Sequence, residues 1–283
     1  MKVFKTISAL RRTLYSLKRE GKTIGLVPTM GALHEGHMSL VDASVKDCDV
    51  TVVSVFVNPI QFGKTEDLDK YPRRLKADAE LAGSHGADFI FAPSVEEMYP
   101  NGDPLTLVRD ETLESLYCGA YRPGHFRGVL TVVAKLFLIT AANKTYFGQK
   151  DYQQAFLIQK MVKDLNFDVD IKISPIIRES SGLARSSRNE FLSEEDHRRA
   201  VCISAGLNAA KAAYAEGQRK VVPLRDMVVK AILVGGGLVQ FVEVVSQKDL
   251  RAFASGVVDE NEKSVILVAA YFGKTRLIDN IEL

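Results

Sequence analysis

Thr23-Ile24-Gly25-Leu26-Val27-Pro28-Thr29-Met30-Gly31-Ala32-Leu33-His34-Glu35-Gly36-His37 is the stretch on which the reading of this sequence turns. Thr23 to Val27 is a short β-like run closed by Pro28, and from Gly36 to Lys46 the apolar residues Met38, Val41 and Val45 recur at helical spacing. A buried strand thus passes through a glycine turn into a helix, the place where an open α/β sheet binds ligands. Gly31 and Gly36 let backbone come close to a phosphate chain, and open amides at the helix start add partial positive charge. His34 and His37 are three apart, so they share one face of the first turn and can donate to phosphate oxygens. Capping or packing is the plainer role for such residues. Zinc is a third, but a metalloprotease helix needs H-E-x-x-H, and no further ligand stands out.

The alternation extends on both sides. Ile7, Leu10, Leu14 and Leu17 mark a helix stopped by Gly21. Val50 to Val57 is a continuous β-branched run, as in a strand buried on both faces. A helix over Arg73 to Gly83 leads to a strand at Asp88 to Phe91; a helix over Val129 to Ala142, a strand at Thr145 to Phe147, a helix over Tyr152 to Leu165 and a strand at Val169 to Ile177 follow. Strands alternating with helices predict a doubly wound parallel sheet, an α/β Rossmann-like domain over residues 1–175. Beyond it, one helix over Ser193 to Ala215, capped by Ser193-x-x-Asp196, precedes a second after Pro223. Strands at Leu238 to Val245, Val265 to Tyr271 and Arg276 to Ile281 complete a smaller α+β domain over 176–283.

Composition narrows the function. Among 283 residues, 37 Lys and Arg stand against 35 Asp and Glu, so the basic excess expected of a nucleic-acid binder is missing. Cys48, Cys118 and Cys202 are far apart and odd in number, which reads as reduced cysteine in a cytosolic protein. Arg11 and Arg12 interrupt any secretory apolar region. The longest apolar stretch, Val129 to Ala142, contains Lys135 and falls short of the roughly 20 residues a membrane span needs. The expectation is a cytoplasmic protein without a membrane partner. Gly-Lys-Thr occurs at Gly21, Gly63 and Gly273, but Ser16, Asn58 and Val268 stand where a P-loop needs its first glycine.

Other stretches complement the histidine turn. Gly148-Gln149-Lys150-Asp151 closes a short strand and opens a helix, aiming amides and one Lys at a sheet edge. Ser180-Ser181-Gly182-Leu183-Ala184-Arg185-Ser186-Ser187-Arg188-Asn189 is polar and basic, either a loop that closes over a polyphosphate or a solvated linker. Asn58-Pro59-Ile60-Gln61-Phe62 puts Gln61 at the carboxyl end of the buried strand, and Gln153 and Gln154 open the helix after Lys150. Such amides suit a substrate with hydroxyls and a carboxylate. Arg122-Pro123-Gly124-His125-Phe126-Arg127 is a compact basic corner, fit to hold a carboxylate or to cap the next helix.

Taken jointly, these motifs, with Ser186-Ser187-Arg188-Asn189 and Val265-Ile266-Leu267-Val268-Ala269-Ala270, resemble the pantothenate synthetases over nearly the whole chain. These are the pantoate–β-alanine ligases of the adenylyl-transferring superfamily marked by H-x-G-H. The resemblance implies that pantoate is adenylylated by ATP and that β-alanine then displaces AMP. It also implies that Met30, Gly31, Ala32, Leu33, His34, Glu35, Gly36 and His37 line the ATP, with His37 the proton donor. Gly148, Gln149, Lys150, Asp151, Ile177, Arg185, Ser186, Ser187 and Arg188 complete the nucleotide contacts, and His34, Lys150 and Arg188 join His37 as the catalytic set. Gln61 and Gln154 hold pantoate, with Gln61 also near β-alanine. Members are cytoplasmic homodimers that use Mg²⁺; no dedicated protein metal ligands are expected here. Members usually carry Glu where Gln149 stands and an apolar residue where Arg185 stands. Two other readings stay open from the residues alone. An H-x-G-H adenylyltransferase for a phosphate-bearing acceptor would need extra basic residues in place of Gln61 and Gln154. A non-catalytic ATP-binding regulator would bind ATP without turning it over.

Overall fold

A computed structural model describes residues 1–63, 68–69 and 71–283; the second and third residues of the tripeptide beginning at Gly63 lie outside that set. The chain divides into two compact units, residues 1–149 with 153–175, and residues 150–152 with 176–283.

Among the described residues, the first unit holds six strands: β1 (Lys2–Phe4), β2 (Ile24–Thr29), β3 (Val50–Val55), β4 (Phe89–Phe91), β5 (Lys144–Gly148) and β6 (Asp170–Ser174). Their order is β1-β4-β3-β2-β5-β6, and every neighbouring pair is parallel. From β2 the chain steps outward through β3 and β4, then returns to lay β5 and β6 on the other side of β2. The carboxyl ends of β2 and β5 therefore form the topological switch point, where the connections leave in opposite directions and open a crevice.

Local chemistry explains why these strands lie here. Val50, Thr51, Val52 and Val53 are all buried, as the β-branched run requires. Pro28 belongs to β2 rather than closing it. Thr29 O accepts from Phe56 N on the β3 side, so by alternation Pro28 faces β5, where pairing ends at Leu26 and no N–H is missed. A Cβ on Gly25 would lie 2.1 Å from Ser44 Oγ and 3.2 Å from Cys48 Sγ, so only glycine lets helix α2 (Glu35–Asp47) pack this close. Helix α1 (Ile7–Arg19) buries Leu10 and Leu14 and gives way to Gly21 at φ +81°. Helix α3 is Leu75–Ser84.

Helix α4 (His125–Thr140) starts four residues before the expected Val129, directly after left-handed Gly124, and is buried along nearly its whole length. Helix α5 is Tyr152–Asp164. Strand β6 stops at Ser174, short of the expected Ile177, because Pro175 cannot donate to a ladder. The three-residue β1 carries no periodicity and is not legible in the sequence. No helix among the described residues is long and apolar enough to cross a membrane.

In the second unit, α6 (Glu194–Ala200), α7 (Cys202–Ala215) and α8 (Val221–Val234) accompany an antiparallel sheet of β7 (Leu238–Ser246), β8 (Ser264–Phe272) and β9 (Thr275–Glu282). The single helix expected over 193–215 is interrupted at Val201, which keeps helical angles (φ −57°, ψ −24°). Ala200, Ile203, Leu207 and Ala210 remain one buried stripe through the break, so the apolar pattern cannot reveal it. Ser193 Oγ accepts from Asp196 N at 3.0 Å, the cap its motif predicts. Pro223 sits inside the first turn of α8, where a missing N–H is harmless. Val228, Ile232, Val244, Ile266 and Phe272 form the centre of this core.

Candidate active site

The turn after β2 is fixed atom by atom. Thr29 Oγ1 donates to Ser54 O (2.6 Å) and accepts from Gly31 N (3.1 Å). Gly31 (φ +86°) and Ala32 (φ +50°) are both left-handed and reverse the chain. Ala32 N and Leu33 N then donate to Asp78 of α3, to Oδ2 at 3.1 Å and Oδ1 at 2.8 Å. His34 caps α2: its Nδ1 accepts from Gly36 N (3.1 Å), and His37 Nδ1 accepts from His34 N (3.3 Å). The two rings lie 4.1 Å apart, tilted by 42°.

This corrects the expectation of open amides at the helix start. Gly36 N is held by the His34 ring, and His37 N donates to His34 O (2.8 Å). A helix with no Ser, Thr or Asp at its cap satisfies its first amides with imidazole instead. The histidines do cap, and they use Nδ1 for it. A ring nitrogen that accepts a backbone N–H carries no proton, so each neutral imidazole holds its N–H at Nε2, the opposite edge. Met30 N makes no hydrogen bond to a described residue.

Gln61, in the 3₁₀ turn Pro59–Gln61 after β3, is 7% exposed and braced on both side-chain atoms, with one amide N–H still to spend. Its Oε1 accepts from Asn58 Nδ2 (3.0 Å), its Nε2 lies 3.0 Å from Met30 Sδ, and its backbone O contacts His125 Nδ1 (2.9 Å). Arg122 Nη1 lies 2.9 Å from His125 Nε2; guanidinium only donates, so the His125 proton is on Nδ1 and points at Gln61 O. Tyr99 O–H donates to Asn58 Oδ1 (2.8 Å), and burial, helped by the Asp103 charge, pushes its phenol upward, so it stays a donor. Asn58 Nδ2 also reaches Gly128 O at 3.1 Å. Sequence reasoning named Gln61 but missed Asn58 and Tyr99 as its supports.

After β5, Gly148 and Gln149 are partly buried. Of the paired amides that follow, Gln153 is structural: its Oε1 accepts from Cys118 N (3.1 Å) and its Nε2 donates to Leu113 O and Leu116 O (2.9 Å each). Gln154 is half-buried and makes no side-chain hydrogen bond to a described residue. The carboxyl edge of one sheet thus carries Met30–His37, Gln61 and Gly148–Gln149, with Gln154 in the first turn of α5.

The remaining candidates belong to the second unit. Lys150 Nζ lies 3.3 Å from Asp151 Oδ2, and its backbone O accepts from Asn280 Nδ2 of β9 at 3.0 Å. Burial first, then the Glu282 charge, raise the phenol of Tyr152, which points its O–H at Glu282 Oε1 (3.5 Å). The stretch read as a polar loop or linker is a cross-braced hairpin. Ile177 O accepts from Arg185 N (2.9 Å), and Arg178 forks onto buried Asp279 (2.7 and 3.0 Å). Glu179 gathers Asn189 Nδ2 (3.0 Å), Arg185 Nη1 (3.5 Å) and His197 Nε2 (3.0 Å). Ser186 Oγ accepts from Arg188 N (3.3 Å), opening the short helix Ser187–Phe191. No group of three or more His, Cys, Asp or Glu able to hold a metal occurs among the described residues, and the three cysteines are free thiols.

A parallel sheet with an H-x-G-H turn at its switch point, joined to a small antiparallel sheet, defines a nucleotidyltransferase-like fold. The family model for pantoate-beta-alanine ligase matches residues 2–282, and this chain belongs to that family of ligases. The pantothenate synthetase of Sulfurihydrogenibium sp. (strain YO3AOP1) is 48% identical over 285 aligned positions, covering 100% of both chains. The crystal structure of pantothenate synthetase from Thermus thermophilus superposes with a TM-score of 0.91 at 40% identity, covering 99% of each chain. That of the Francisella tularensis ligase, complexed with beta-gamma ATP and beta-alanine, gives 0.80 at 35% identity, covering 99% of this chain and 97% of that one.

Proposed function

We propose that this chain joins pantoate to β-alanine at the expense of ATP, through pantoyl adenylate. Pantoate's carboxylate oxygen attacks the α-phosphorus, the bond from phosphorus to the bridging oxygen breaks, and pyrophosphate leaves. The amine of β-alanine then attacks the acyl carbon, the bond to AMP breaks, and the nitrogen gives up a proton. The family match across residues 2–282 carries this reading.

Both steps push negative charge onto phosphate oxygens, so the site must offer donors fixed in advance. In this reading His34 and His37 donate through Nε2, His37 as the acid that protonates the leaving phosphate, and Met30 N adds a backbone donor. Gly31, Ala32, Leu33, Glu35 and Gly36 shape the nucleotide's bed, with Gly148 and Gln149 beside them. Lys150, Asp151, Ile177, Arg185, Ser186, Ser187 and Arg188 supply the other nucleotide contacts, with Lys150 and Arg188 countering charge on the phosphates. Gln61 and Gln154 hold pantoate, and Gln61 also meets β-alanine. Mg²⁺ enters as part of the substrate, carried on the triphosphate. The working protein in this reading is a cytoplasmic homodimer.

Isotope exchange between pyrophosphate and ATP tests the route. Label enters ATP with pantoate alone. Label that enters only when β-alanine is also present rules out a free acyl adenylate.

A further inference from the structure

The geometry points to Asp78 as a positioning residue of adenylation: its buried carboxylate holds the Met30–His37 turn in the shape that receives ATP. The inference rests on the ligation reading only for the identity of the acid that is activated. Asp78 reaches the turn from α3, and at 3% exposure it is almost completely removed from water. Both oxygens are committed to consecutive amides of the turn, Ala32 N and Leu33 N. No ion pair links Asp78 to a described cation. Removing a carboxylate from water is costly unless the groups around it make strong hydrogen bonds, so these two amides are its main compensation.

The turn needs an external hold. Ala32 adopts φ +50°, a left-handed conformation that a residue with a Cβ rarely takes unless its surroundings enforce it. Gly31 precedes it at φ +86°, and a Cβ there would lie 2.9 Å from Asp78 Oδ2, so the carboxylate sits directly against the backbone. Two residues further on, His34 caps α2 and sets the direction of both imidazoles. Asp78 therefore fixes the entry to the cap, Met30 N on one side and the histidine pair on the other. Both of its oxygens are spent on backbone amides, so it acts on the site through backbone.

Asp78→Asn keeps the size but turns an amide N–H₂ toward a backbone N–H. ATP affinity, measured by calorimetry without pantoate, is expected to fall on the order of ten- to a hundredfold, the range for losing a hydrogen bond to a charged group. Pyrophosphate exchange slows with it, the KM for pantoate stays where it was, and amide hydrogen exchange at Ala32 and Leu33 speeds up. A merely structural carboxylate would lower the thermal midpoint and leave ATP affinity of the folded enzyme unchanged, which overturns the inference. So does undiminished protection at Ala32 and Leu33. Should Asp78→Asn not fold, Asp78→Glu, two oxygens on a longer arm, is read by the same measurements. Wild-type protein that binds ATP without pantoate-dependent exchange would refute the ligation reading while leaving the Asp78 comparison decisive; wild type that does not bind ATP overturns both.

Discussion

Gly128→Ala tests how Gln61, the residue proposed to meet pantoate, is held. A Cβ on Gly128 would lie 2.5 Å from Gln61 Cα, 2.5 Å from Ile60 O and 2.6 Å from Gln61 N. Non-bonded carbons rest about 3.5–4.0 Å apart, so α4 and the Pro59–Gln61 turn must separate by about 1 Å. All three atoms are backbone, and no rotamer change relieves the overlap. Overpacking of this kind costs about 1–3 kcal/mol, a fall of roughly 2–12 °C in the thermal midpoint for a unit of this size. The same movement draws Gln61 O away from His125 Nδ1 and splits the Asn58 bridge between Gln61 Oε1 and Gly128 O. Displacing a substrate-orienting group by this much can cost about a hundredfold, so kcat/KM for pantoate is expected to fall by about that factor while ATP affinity holds. Scanning calorimetry and pyrophosphate exchange with pantoate titrated give both numbers. An unchanged midpoint with unchanged pantoate kinetics would refute the packing argument and the placing of Gln61 in the acid pocket.

His34→Ala and His37→Ala should each lower exchange turnover on the order of 10²–10³-fold. Because each ring takes part in the other's cap, the double variant should lose far less than the product of the two, read from a double-mutant cycle in turnover. Gln154→Ala should raise the KM for pantoate and spare ATP affinity, whereas Gln153→Ala, losing three backbone partners, should show chiefly as a lower thermal midpoint. Arg185→Met should keep most turnover, since its guanidinium lies against Glu179, while Arg188→Met should lose nearly all of it; steady-state kinetics at low and moderate salt decide, and equal collapse of both would make Arg185 essential.

The parallel alternation is legible because β-branched runs and helical stripes are local signals: Val50–Val55 and the Met38/Val41 stripe announce themselves within a few residues. What is not legible is set by distant partners. Nothing near Gln61 in sequence reports that Tyr99, 41 residues after Asn58, and Gly128, 70 after it, complete its brace. Asp78 reads as one more acid in the first turn of a helix until the fold brings it to Ala32 and Leu33. The H-x-G-H stretch is found at once, yet the reading of its amides as open fails. A histidine written as a donor in a sequence does not show which of its nitrogens is already spent on backbone.

Strand β9 gives the molecule an order of assembly. The carbonyl of Lys150 finds its partner in Asn280, 130 residues later in the chain. A ribosome therefore delivers every strand of the parallel sheet, histidine turn included, well before the residue that ties down the lysine segment. A nascent chain at that stage is complete at β2 and β5 and unfinished at Lys150. Tags or truncations that disturb the last strand should consequently silence the lysine segment first and leave the parallel sheet intact.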